Sequence, residues 1–142
     1  MPRKATAVWK GSLKEGNGTI SAASGVLKDT PYSFKTRFED APGTNPEELV
    51  AAAHAGCFSM ALSAILGEAG IVPESVTTTA SVTLEMLPEG PTVTKIHLDN
   101  VTKIPGGYKA KFDEAAGKAK AGCPISRLLR AAEITLSAKL ES

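Results

Sequence analysis

Leu49-Val-Ala-Ala-Ala-His-Ala-Gly-Cys-Phe-Ser-Met-Ala-Leu-Ser-Ala-Ile-Leu66 is an uncharged apolar run whose reading decides the fold. Its start is well marked. Asn45 suits an N-cap, Pro46 the first helical position, and Glu48 the third residue of a capping box. Glu47 and Glu48 also suit the positive end of a helix dipole, and Gly67 and Gly70 supply a stop. Alanine, His54, Ser59 and Ser63 make the run too weakly hydrophobic for a bilayer, so it reads as the buried helix of a globular protein, not a membrane span. It is apolar on every side and must be covered on every side. A chain of 142 residues has little material left for that. A homodimer in which two such helices pack between sheets meets the need, with Ala51, Ala52, Ala53, Ala55, Gly56 and Ala61 permitting close approach.

Outward from this helix the pattern changes to period two. Ala5, Ala7 and Trp9 alternate with polar neighbours, and Glu15-Gly-Asn-Gly18 is a turn before Thr19-Ile-Ser21. Tyr32, Phe34, Thr36 and Phe38 alternate with Ser33, Lys35 and Arg37 and predict a strand that ends in the loop Glu39–Thr44. Beyond Pro73, Val76 through Met86 alternate, Pro88-Glu-Gly-Pro91 turns the chain, and residues 92–101 form the partner strand. Phe112, Ala115, Ala116 and Ala119 mark a helix over 109–121, Pro124 opens a short one through Arg130, and Ile134, Leu136, Ala138 and Leu140 end the chain as a strand. The expected class is α+β, one domain over 1–142, with antiparallel sheets around the central helix.

Bulk properties exclude several functions. The net charge is +1, with no Lys/Arg block, so there is no footprint for nucleic acid. Met1-Pro-Arg-Lys-Ala-Thr-Ala-Val-Trp9 lacks the apolar core of a signal peptide, which makes the cytoplasm the default location.

The chain has two cysteines, Cys57 inside the central run and Cys123 directly before Pro124. Two distant thiols without an export signal suggest redox chemistry more than a structural staple. A cysteine in an apolar helix is also ordinary core, and burial raises its pKa. At a pKa of about 8.5 only roughly 3% of a thiol is ionised near neutral pH, so a reactive Cys57 requires a cation from another element. Arg37 is the candidate. Glu47 lies about 15 Å along the helix from Cys57, so a site holding both needs a second subunit. Cys123, at a helix N-terminus with Lys118 and Lys120 nearby, has a setting that favours the thiolate. His54 and Cys57 share a helix face, but His97 and Cys123 stand without paired ligands, which disfavours zinc.

Gly43-Thr-Asn-Pro-Glu-Glu-Leu-Val-Ala-Ala-Ala-His-Ala-Gly-Cys-Phe-Ser-Met-Ala-Leu62 resembles the central-helix motif of the OsmC/Ohr family. Ala119-Lys-Ala-Gly-Cys-Pro-Ile-Ser126 resembles its second cysteine motif, and Ser24–Leu27 and Pro31–Phe38 are similar to the OsmC branch. The resemblance implies a thiol peroxidase, an intertwined homodimer that reduces organic hydroperoxides and is reset by an external dithiol, with no metal, flavin or haem. It implies that Cys57 is the peroxidatic cysteine, Cys123 the resolving one, Arg37 the activator of the thiolate and Glu47, or the adjacent Glu48, its acidic partner. The alanines with Phe58 and Met60 are expected to form an apolar mouth.

Overall fold

A computed structural model describes residues 1–142. The chain forms two compact units, Met1–Leu49 and Val50–Ser142, with the long helix α2 (Pro46–Glu68) beginning in the first and continuing through the second.

The first unit holds an antiparallel sheet of β1 (Ala5–Lys10), β2 (Asn17–Ala22) and β3 (Thr30–Tyr32). The pairing puts Gly18 of the middle strand between Trp9 and Tyr32, whose rings meet across it at 5.3 Å. A Cβ at Gly18 would stand 2.5 Å from Tyr32 Cε1, 2.6 Å from the Val8 carbonyl oxygen and 2.8 Å from Trp9 Cε3. Only glycine lets the two aromatics close over the strand.

The expected strand through Phe38 stops at Tyr32. Residues Phe34–Phe38 instead form a short helix, α1. Ser33 and Thr36 cap it reciprocally: Thr36 N donates to Ser33 Oγ at 3.2 Å, and Ser33 N to Thr36 Oγ1 at 2.8 Å. The alternation is ambiguous because every second apolar residue also yields i,i+4 pairs. Phe34 and Phe38 make such a pair, with ring centroids 4.8 Å apart.

In the second unit β4 (Ser75–Leu87) and β5 (Gly90–Lys103) form a long antiparallel hairpin. Thr94 is the extra residue of a bulge between the Thr83–Lys95 and Leu84–Val93 pairs. Beyond it the alternation gives out: Glu85 is half-buried and Met86 is 75% exposed. Helices α3 (Lys109–Gly122) and α4 (Pro124–Leu128) then carry the chain back, so β6 (Glu133–Glu141) joins β5 in parallel, and this sheet is mixed where antiparallel sheets were expected.

Phe58, Leu62 and Leu66 of α2 lie in one buried cluster with Ile96, Leu98, Phe112 and Ala116. With His54 they form a single stripe at four-residue spacing. The helix is long and apolar enough to cross a membrane by length and composition, yet this stripe is core. Its opposite side, including Ala52, Gly56, Met60 and Ala64, is exposed on the single chain. The helix closes as the sequence indicates: Ile71 N donates to the Leu66 carbonyl and Gly70 N to that of Gly67, with Gly70 at φ 75°.

Gly18→Ala is expected to lower the unfolding free energy by about 1–3 kcal/mol, the usual cost of overpacking. Urea unfolding followed by Trp9 fluorescence checks it; an unchanged midpoint would show that the rings move aside freely.

Candidate active site

The first unit presents an ordered cation. Asn45 fixes the corner between α1 and α2: its Nδ2 donates to the Thr36 carbonyl at 2.9 Å, and its Oδ1 accepts from Glu48 N at 2.8 Å. This clasp sets Arg37 beside Glu47. Arg37 Nε donates to Glu47 Oε1 at 2.8 Å and Nη2 to Oε2 at 3.0 Å, a bidentate pair. Glu48 is engaged elsewhere, accepting from Thr44 Oγ1 at 2.8 Å, so Glu47 is the partner of Arg37. The side chain of Glu47 is 15% exposed and that of Arg37 38%, which leaves the guanidinium oriented and still reachable. Arg37 stands on α1 and not on a strand. Beside it opens an apolar cavity of about 230 Å³ lined by Trp9, Leu13, Tyr32, Phe34 and Phe38.

The second unit presents the thiols. Cys57 is half-buried, Cys123 is buried, and both are free. They are neighbours: Cys57 packs against the core cluster that holds Cys123, and Cys123 and the Ile125 amide both act on the Cys57 thiol. Helix α4 explains the arrangement. Pro124 has no N–H, and the next two amides have no helical acceptor. Ser126 N–H donates to Cys123 Sγ at 3.3 Å, and the Ile125 amide acts on the Cys57 thiol. Burial pushes the Cys57 thiol up, the Ile125 amide opposes this, and neighbouring Cys123 pushes it further up. Within this unit nothing reverses the rise.

A polar network anchors α2 next to Cys57. Ser59 Oγ lies 2.8 Å from Thr78 Oγ1, Asn100 Nδ2 donates to Thr78 Oγ1 at 3.0 Å, and Thr102 Oγ1 to Asn100 Oδ1 at 2.7 Å. The expected mouth needs correction. Phe58 is fully buried in the core, and only Met60, 77% exposed, faces outward. His54 and Cys57 do share a side of α2, but His54 Nε2 meets Ser126 Oγ at 2.7 Å. No group of three or more His, Cys, Asp or Glu is placed to hold a metal ion. Of the residues that the sequence singled out, the structure pairs Arg37 with Glu47 in the first unit and places Cys57 near Cys123 in the second. Sequence reading gave Ser126 no role, although that residue closes the second cysteine motif, because nothing in the sequence tells that its hydroxyl meets His54.

Comparisons with known proteins identify the family. The family model described as OsmC-like protein matches residues 38–139. The chain is 54% identical over 140 residues to peroxiredoxin OsmC of Escherichia coli K12, covering 99% of this chain and 97% of that one. It is 34% identical over 89 residues to an organic hydroperoxide resistance protein of Xanthomonas axonopodis, covering 62% and 61% of the two chains. A solved OsmC-like protein of unknown function from Vibrio cholerae superposes with a TM-score of 0.77 at 20% identity, covering 97% of this chain and 99% of that one. This chain belongs to the OsmC family.

Removing Cys123 removes an influence that keeps Cys57 protonated. In Cys123→Ala the pH dependence of Cys57 alkylation should move to lower pH, because the neighbouring Cys123 acts upward on the Cys57 thiol. Iodoacetamide labelling across pH measures this. A profile that stayed put or moved upward would contradict the account.

Proposed function

We propose that this protein is a peroxide-detoxifying thiol peroxidase that acts on organic hydroperoxides through Cys57 and Cys123. The observation that carries the reading is that one half-exposed and one buried thiol from distant parts of the sequence lie as neighbours, both free. The Cys57 thiolate attacks the terminal peroxide oxygen. The O–O bond breaks, alcohol leaves, and the sulfur becomes a sulfenic acid. Cys123 then condenses with it, forming a disulfide and releasing water, and an external dithiol restores both thiols. Such a cycle belongs in a reducing compartment, the cytoplasm.

The rise imposed on Cys57 by burial has to be offset by a cation. Arg37 fills that role: a guanidinium stays charged throughout the working range, and its bidentate bond to Glu47 fixes its direction. In the transition state it also stabilises charge on the leaving oxygen. The length of helix between Glu47 and Cys57 supports an arrangement in which each subunit of a homodimer lends its Arg37–Glu47 pair to the other subunit's thiol. The exposed apolar side of α2 supports the same assembly. The cavity beside Arg37 suits the hydrocarbon part of an organic hydroperoxide and gives hydrogen peroxide nothing to fill it.

Four outcomes are expected. Cys57→Ser abolishes cumene hydroperoxide consumption, because a hydroxyl is a poor nucleophile at neutral pH. Cys123→Ser still consumes about one peroxide per site, then stalls. Equal loss of the initial burst in both would reverse or remove the roles. Arg37→Ala slows peroxide reduction by roughly a hundredfold or more and partly recovers at higher pH, where hydroxide ionises the thiol directly; an unchanged pH profile would remove Arg37 from the site. Light scattering should give the mass of two chains at micromolar concentration, and a folded single chain would refute the shared site.

A further inference from the structure

Behind the two thiols lies a buried group that the peroxidase cycle does not use. His54 is fully buried, Ser126 is 3% exposed and Cys123 1%. Their polar atoms form a line: Cys123 Sγ donates to Ser126 Oγ at 3.2 Å, and Ser126 Oγ stands 2.7 Å from His54 Nε2. The far ring nitrogen, Nδ1, has no hydrogen-bond partner. A buried imidazole with one idle nitrogen is a costly residue for mere packing, since each unmatched polar atom is penalised. It occurs where its single bond leads straight to a reacting sulfur.

We propose that Ser126 and His54 form a buried proton relay for Cys123 during disulfide formation; this rests on the peroxidase reading above. Ser126 touches the reacting sulfur, and His54 is a positioning residue that acts through it. As Cys123 attacks the Cys57 sulfenic acid, its thiol proton passes to Ser126 Oγ while the Ser126 proton passes to His54 Nε2. The electron pair freed on Cys123 forms the S–S bond. The S–O bond of Cys57 breaks and its pair leaves with hydroxide. The proton returns through Ser126 to that hydroxide, so water departs and His54 is neutral again. The Cys123 sulfur is oxidised and the Cys57 sulfur reduced, and no further reactant is needed. Burial lowers the His54 pKa, which keeps the imidazole able to accept and disfavours holding the proton. The Ser126 amide, donating to Cys123 Sγ at 3.3 Å, stabilises the charge that develops there.

The test separates the two chemical steps. The full-length protein receives one equivalent of cumene hydroperoxide without reductant and is quenched at intervals. Mass spectrometry then follows Cys57 sulfenic acid, trapped with dimedone, and the disulfide. His54→Gln and Ser126→Ala should form the sulfenic acid within about twofold of the parent rate and condense on the order of a hundredfold more slowly. The double variant should be no slower than the slower single one, since a chain is broken only once. Ser126→Thr, which keeps the hydroxyl, should retain condensation; if His54→Gln does not fold, the comparison of Ser126→Ala with Ser126→Thr carries the test. Condensation at the parent rate in the single variants would overturn the relay. So would equal slowing of both steps, or Ser126→Thr as slow as Ser126→Ala, because packing alone would then explain the pair. Failure of Cys57 to form a sulfenic acid in the parent would overturn the peroxidase reading itself, a result distinct from condensation that ignores His54.

Discussion

Burial of one stripe of α2 is the constraint on which the rest depends. Phe58, Leu62 and Leu66 are locked into the core of the second unit, and the helical period then dictates where every other side chain on α2 points. His54 continues the buried stripe, one turn before Phe58. Cys57, adjacent to Phe58, falls at the margin of the core, half-buried, where in our reading it meets Cys123 inside and a substrate outside. The Ser59–Thr78–Asn100–Thr102 network holds that rotation with directional bonds where dispersion alone would leave some freedom. The apolar residues on the other side of α2 have no use in a single chain. In our reading they form the surface against which a second copy packs.

The same burial creates the electrostatic problem that the chemistry must solve. A sulfur sheltered enough to exclude unwanted partners is driven toward the neutral thiol, and the neighbouring Cys123 adds to this. The Ile125 amide helps but is a neutral donor. In our reading the remaining need is met by a guanidinium that is held in place before any thiolate forms. Asn45 is central to that preorganisation, because its one side chain caps α2 and binds the end of α1, and so aligns Arg37 with Glu47.

Most of this organisation was legible in the sequence, for identifiable reasons. Asn45-Pro46 and Gly70 mark the ends of α2 through backbone requirements that few residues satisfy. The buried face of α3, Phe112 with Ala115, Ala116 and Ala119, follows directly from helical period. What failed had equally physical causes. The Tyr32–Phe38 alternation fits both a strand and an i,i+4 aromatic pair, and the Ser33–Thr36 cap decides between them. The parallel docking of β6 depends on how α3 and α4 return the chain, which no pattern within β6 encodes. Phe58 was expected at the active-site mouth because apolar neighbours of a cysteine look alike in sequence, whether they face the core or the solvent. The His54–Ser126 contact joins elements that only tertiary packing brings together.

The most direct test of the central claim is a non-reducing peptide map of the reduced protein before and after one equivalent of cumene hydroperoxide. The account predicts that both thiols start free and that Cys57 and Cys123 of the same chain become joined by a disulfide. Two cysteines that remained free and unoxidised after the peroxide, or that linked only between chains, would contradict it.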